Sequence, residues 1–162
     1  NAIAQTAIGQ LDVKLTPLAV ANMMATISRG GMKRSVRTAT EIDYNQPSGV
    51  TLTTFPKQTL KGDQLDSYTI MRIRELLRGV VENEKGTGHR LADALYPIAG
   101  KSGTAETDQG HTNEWFAGYF PADNPKYAMV VVDLDQHPGD HKTYEIYKDI
   151  VDQLYQNDQQ TQ

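Results

Sequence analysis

Residues 98–156 hold the feature that most constrains the fold: three β-prone runs in unbroken succession, each closed by a turn signal, followed by one amphipathic helical stretch. The first run, 98–106, begins just after Pro97, which keeps any preceding helix from continuing into it. Gln109-Gly110 marks the turn into the aromatic run Asn113-Glu114-Trp115-Phe116-Ala117-Gly118-Tyr119-Phe120-Pro121, and Asp123-Asn124-Pro125 the turn into 127–134, where 128–132 reads as a buried central strand. Connections this short join strands that run antiparallel. The expectation is an α+β fold, an antiparallel sheet flanked by helices. Residues 143–156 form its closing helix, with Ile146, Tyr147, Ile150, Val151 and Leu154 on one stripe. Residues 157–162 are too polar to bury anything and are expected to be a disordered tail.

Upstream, Thr16 reads as an N-cap, Pro17 as the first helical residue and Gly30-Gly31 as the stop of one helix. Residues 35–42 and 50–55, separated by Asn45-Gln46-Pro47-Ser48-Gly49, read as a small hairpin. Ser67 is expected to cap a second helix whose Ile70, Ile73, Leu76, Leu77, Val80 and Val81 recur at spacings of three and four. Gly86-Thr87-Gly88 is expected to end it, and a short helical stretch over 90–95 to deliver the chain to the first strand.

Composition removes several classes of function. At 162 residues the chain is long enough for one domain that buries about two-thirds of its extended surface. A formal net charge of −4, with no basic stripe, gives no footprint for nucleic acid. The absence of Cys excludes disulfides and thiolate metal sites. No apolar run approaches the roughly 18 residues of a spanning helix. His137 and His141 are four apart, but Pro138-Gly139 between them breaks the helical face that such spacing needs, so no metal and no cofactor is expected.

Lys101-Ser102-Gly103-Thr104-Ala105 carries the chemistry. It sets an ammonium, hydroxyls and a Gly-relieved backbone side by side, a combination suited to a carboxylate next to a reacting carbonyl. A solvated surface strand with a Gly-marked bulge is the plainer alternative. A phosphate loop fails, because Leu95 stands where the first Gly is needed and Pro97 lies inside the loop. On an extended strand Lys101 and Gly103 share one side while Ser102 and Thr104 face the other. Ser28, Ser35, Ser48, Ser67 and Ser102 all lack a Lys three residues later, so no internal Ser is paired for nucleophilic attack.

Lys101-Ser102-Gly103 is the Ser variant of the K-T-G element that accompanies S-x-x-K and S-D-N in active-serine penicillin-interacting enzymes. With the Thr-Pro-Leu helix entry and its terminal Gly-Gly, Val80-Val81…Gly86-Thr87-Gly88, Ala99 to Glu106, and Trp115 to Pro121, the chain resembles the class B penicillin-binding transpeptidases over about residues 5 to 135. Tyr155-Gln156-Asn157 mimics a Tyr-x-Asn form of the second motif but lies after the last strand.

The resemblance implies a C-terminal part of a serine D,D-transpeptidase domain, residues 1–156, incomplete without an N-terminal half that supplies the active Ser, its Lys and the Ser-x-Asn loop. By itself the chain is then expected to be inactive. The partners implied are D-alanyl-D-alanine stem peptides of peptidoglycan, β-lactams and that N-terminal half, on the outer face of the cell membrane, with any anchor outside this chain. Lys101 would supply positive potential and assist proton movement, and the Thr104 N–H would donate to the oxyanion. Ser102 and Thr104 would offer hydroxyls to the terminal carboxylate, and Gly103 would keep the approach open. Trp115 is expected to be a core or cleft-wall ring, Gly118 to permit close packing, and Glu106, Asp108 and Glu114 to be surface charges. A β-lactam-recognising hydrolase or sensor of the same superfamily, or a non-catalytic interaction module, remain as rivals.

Overall fold

A computed structural model describes residues 14–44, 50–62, 65–106, 110–137, 139 and 141–161. Its element order is α1 (Pro17–Ser28), β1 (Glu41–Asp43), β2 (Thr51–Thr54), α2 (Ser67–Glu82), a 3-10 turn (His89–Leu91), β3 (Ala99–Glu106), β4 (Thr112–Phe120), β5 (Tyr127–Gln136) and α3 (Lys142–Gln160). The three long strands form one antiparallel sheet in the order β3-β4-β5, and β1 and β2 form a separate hairpin.

Two apolar clusters define the faces of the sheet. On one face Met24 of α1 and Leu77 of α2 meet Ala99, Ala117 and Tyr119. On the other, Tyr144, Tyr147 and Val151 of α3 meet Phe116 and Phe120, joined by Val81, Leu91, Tyr96 and Ile98. Strand alternation assigns the rest, because residues opposite one another in register share a face. Lys101 opposite Ala117 and Gly103 opposite Trp115 lie on the α1–α2 side, the front. Ser102 opposite Phe116 and Thr104 opposite Glu114 lie on the α3 side, the back. The alternation expected of this strand holds.

The α1 signals act as expected: the Thr16 side chain accepts from the Ala19 N–H, and Gly30 and Gly31 take positive φ of 72° and 92° past the end. Other expectations shift. Asp66, not Ser67, caps α2, its carboxylate accepting from the Thr69 N–H at 2.9 Å. Leu76 leaves the expected stripe and is 67% exposed, because its neighbour Leu77, about 100° away around the helix, takes the sheet-facing position. α2 stops at Glu82, four residues before the glycines, and 90–95 forms only a 3-10 turn over His89–Leu91. The first hairpin strand is confined to Glu41–Asp43, with Arg34 making a lone bridge to Thr59. The turn residues 45–49 lie outside the described residues.

The expected disordered tail is helical instead: α3 continues to Gln160. Asp158 explains it, accepting from the hydroxyls of Tyr96 at 2.7 Å and Tyr127 at 2.9 Å, with Lys126 Nζ at 3.3 Å. A polar residue that finds three donors on the sheet side holds its turn of helix in place.

Candidate active site

β3 is an edge strand among the described residues: β4 occupies one side, and nothing pairs with the other. Every second N–H and C=O along it therefore points outward. Lys101, Ser102, Gly103 and Thr104 are consecutive on this strand, Lys101 and Thr104 exposed and the other two half-buried.

On the front, the Lys101 ammonium donates to the carbonyl of Ser102 at 2.5 Å and so folds back along its own strand. Trp115 shares this side and is half-buried. A Cβ on Gly103 would meet only the Trp115 Cβ, at 3.6 Å, an ordinary contact. Packing among the described residues does not require glycine at 103.

On the back, Ser102 Oγ lies 2.7 Å from Thr87 Oγ1. Burial pushes the Tyr144 phenol up, and its hydrogen bond to Ser102 offsets part of that rise. If Thr87 donates, the Ser102 proton is left for another group, since a hydroxyl has one donor and two acceptor positions. The turn that brings Thr87 here needs its glycines. A Cβ at Gly86 would stand 2.2 Å from the Val80 carbonyl oxygen, and one at Gly88 would stand 3.0 Å from the Phe116 ring.

Nothing in the sequence marks Thr87 and Tyr144 as neighbours of Ser102. The Gly-Thr-Gly spacing is visible, but nothing in it states that the turn folds under β3. Gly100 carries no sequence signal of its own either: a Cβ there would lie 2.7 Å from both the Ala117 carbonyl oxygen and the Phe116 ring, so close strand packing demands glycine one residue before the lysine. Gly118 does so as expected, because a Cβ added to it would stand 2.5 Å from the Ala99 carbonyl oxygen.

Glu114 departs from the surface role expected of it. Its side chain is 12% exposed, with Oε1 3.3 Å from His141 Nδ1, and its carbonyl accepts from the Thr143 hydroxyl at 3.3 Å. The cause is its place on the back of β4, where α3 begins. Glu106 is exposed as expected, and Asp108 lies outside the described residues. His111 stacks edge-on with His137 at 4.7 Å and pairs with Asp135. Among the described residues no three His, Asp or Glu converge as metal ligands.

Comparison with known proteins decides the family. The penicillin binding protein transpeptidase domain profile matches residues 1–155. The chain belongs to the penicillin-binding protein transpeptidase family. It is 33% identical over 135 residues to the peptidoglycan D,D-transpeptidase PbpA of Mycobacterium tuberculosis, covering 81% of this chain and 26% of that protein. Penicillin-binding protein 2A of Bacillus subtilis is 31% identical over 168 residues, covering 93% of this chain and 23% of that one. Among solved structures, penicillin-binding protein 2B of Streptococcus pneumoniae superposes with a TM-score of 0.76 at 27% identity, over 88% of this chain and 25% of that one. The imipenem acyl-enzyme of M. tuberculosis penicillin-binding protein A gives 0.73 at 25% identity, over 92% and 34%. The chain thus spans about a quarter of the length of the curated relatives it matches.

Proposed function

We propose that residues 1–156 are the C-terminal part of a serine D,D-transpeptidase domain that acts on D-alanyl-D-alanine stem peptides outside the cell membrane and is acylated by β-lactams. The observation that carries the reading is the Lys101-Ser102-Gly103-Thr104 strand on an open sheet edge in a chain of this family. An extended peptide can lie along such an edge and borrow its backbone hydrogen bonds.

In this reading the nucleophilic Ser comes from polypeptide outside the chain. Two features support further protein packed on the front. α1 and α2 expose Leu18 (59%), Met23 (46%), Met71 (47%) and Leu76 (67%). Among the described residues β5 also has an unpaired edge 10 residues long, which an added strand would cover.

The Lys101 ammonium swings from its own strand to the terminal carboxylate and the nucleophile. The Thr104 N–H is one of two donors to the oxyanion formed when the Ser attacks the carbonyl. Ser102, with Thr87 donating to it, gives its proton to the carboxylate over the strand edge, where the Thr104 hydroxyl adds a second contact. Gly103 leaves room for the ligand backbone.

The test is the second-order acylation rate of the complete protein with a labelled penicillin. Lys101→Ala should lower it about a hundredfold, the effect of losing about 3 kcal/mol of transition-state stabilisation. Ser102→Thr should stay within about tenfold, because K-T-G and K-S-G both serve this role. Peptide mapping of the labelled protein should place the adduct outside residues 1–162. Wild-type acylation by folded Lys101→Ala, or an adduct on Ser28, Ser35, Ser48, Ser67 or Ser102, would overturn the reading.

A further inference from the structure

The chain is acidic overall, yet Arg29, Arg34, Arg37 and Lys57 line one cavity of about 310 Å³ whose walls contain no acidic side chain. The cavity lies between α1 and the segments that flank the β1–β2 hairpin. Among the described residues none of these four cations forms an ion pair. Two of their donors are sealed from water with no partner among the described residues: Arg29 Nη2 and Arg34 Nε. Leaving a buried charged donor unpaired is costly, and an anion held in the adjoining cavity by the exposed donors of the cluster would offset that charge.

The cradle is also fixed in advance. The Asn22 amide holds the Arg34 carbonyl at 3.3 Å, and Arg29 Nε donates to the Met32 carbonyl at 3.2 Å. The Ser35 N–H donates to the Gln58 carbonyl at 3.0 Å and the Leu60 N–H to the Lys33 carbonyl at 3.0 Å, which ties the segment bearing Arg34 to the segment bearing Lys57. Arg37 donates to the Phe55 carbonyl. Burial, and then the neighbouring Arg34, push the Arg29 guanidinium below its ordinary range, the direction expected of cations held together with no counter-charge.

We propose that this groove binds a phosphate group, carried by a small soluble ligand or by a lipid headgroup. A single carboxylate would leave most of the charge uncompensated. A phosphate carries up to two negative charges on several oxygens and matches the planar fork of arginine in a bidentate way. The cavity has room for one or two phosphoryl units. Ala21 and Ala25 also line it, an apolar patch for whatever the phosphate is attached to.

The complete protein, in detergent solution, is titrated by calorimetry with sodium pyrophosphate and, separately, with dioctanoyl phosphatidylglycerol, with dioctanoyl phosphatidylcholine as the zwitterionic control. At least one of the two anionic probes should bind, more weakly as salt rises. In the double variant Arg29→Gln/Arg34→Gln, affinity should fall by about tenfold or more, the scale of losing charge-assisted contacts, while penicillin acylation is retained. Pyrophosphate binding assigns a soluble phosphate; binding of the glycerol lipid alone assigns a headgroup. If neither probe binds wild type, or the variant binds as well as wild type, the proposal is overturned. Failure to bind together with a lower melting temperature of the variant would show instead that carboxylates of the protein's own chain fill the groove.

Discussion

The two faces of the sheet are built from different materials. Behind β3 and β4, Phe116, Phe120 and Ile98 pack against Tyr147 and Val151 of α3, all at most 2% exposed, in one largely aromatic layer. In front, the strands present Ala99 and Ala117 to Met24 and Leu77, with Tyr119 as the one large ring of that cluster. The difference teaches how an edge strand can be both rigid and open. Its back is gripped by large rings and a hydroxyl pair, and its front and free edge are left to whatever packs or binds there.

The strongest way to break that comparison is to hollow the back. Phe116 is fully buried and meets Tyr147 edge-on at 4.7 Å and Tyr144 at 5.7 Å. Phe116→Ala should destabilise the complete protein by about 4 kcal/mol. Met24→Ala on the thinner front should cost about 2 kcal/mol, the low end for such a truncation. Both values come from denaturant unfolding. Equal losses would show that the front is as tightly packed as the back.

A second pair of variants adds an atom instead of removing one. At Gly118 a Cβ would stand 2.5 Å from the Ala99 carbonyl oxygen and 2.9 Å from the Tyr147 hydroxyl, so Gly118→Ala must push strand or helix aside. A loss of about 2 kcal/mol is expected. At Gly103 the added methyl meets only Trp115 at 3.6 Å, so Gly103→Ala should leave the melting temperature nearly unchanged and slow penicillin acylation. A large stability loss at Gly103, with acylation intact, would move its role from the ligand to the fold.

These contrasts also separate what the sequence could reveal from what it could not. The sheet was legible because alternation and turn residues are local, and so was the split of Lys101 from Ser102, which follows from strand period alone. The caps were legible to within a residue: Asp66 and Ser67 are adjacent, both are good capping types, and only backbone geometry chooses between them. The contacts of Ser102 with Thr87, across 15 positions, and of Asp158 with Tyr96, across 62, are long-range, and no local pattern encodes them. Of the proposed site, the side chains of β3 were visible as a motif, and the support beneath them was not.

The Asp158 cluster gives a smaller effect that pH can resolve. Hydrogen bonds from Tyr96, then Tyr127, and the nearby Lys126 hold the Asp158 carboxyl below the usual aspartate range. A depressed carboxylate stabilises the fold at pH above its unfolded value of about 4, and the contribution is lost as pH falls through the folded value. The Tyr96 phenol, pushed up to about 12 first by its hydrogen bond to Asp158, behaves in the opposite sense. Its contribution is present below the unfolded value of about 10 and is lost as pH rises toward the folded one. Asp158→Asn should therefore lower the melting temperature between about pH 5 and 9 and match wild type in strong acid. A deficit that does not close in acid would mean that Asp158 acts through something other than its charge.

The smallest change removes one oxygen from the closed face. Tyr147 is fully buried, and its hydroxyl has no hydrogen-bond partner among the described residues. Burial pushes this phenol far above its ordinary range, so it stays protonated and neutral at any working pH. The ring itself is well used, packed edge-on against Phe116 and Phe120. Tyr147→Phe keeps that packing and deletes a buried polar group that gains nothing in return, whereas the void left is only one atom wide. An unsatisfied buried hydroxyl costs about 1–3 kcal/mol, and the lost contacts of one oxygen offset part of it, so the variant should unfold within about 1 kcal/mol of wild type, on the stable side. A clear destabilisation would show that the hydroxyl finds a partner, a buried water or a group from the rest of the domain, and that the back of the sheet is less closed than its aromatic layer implies.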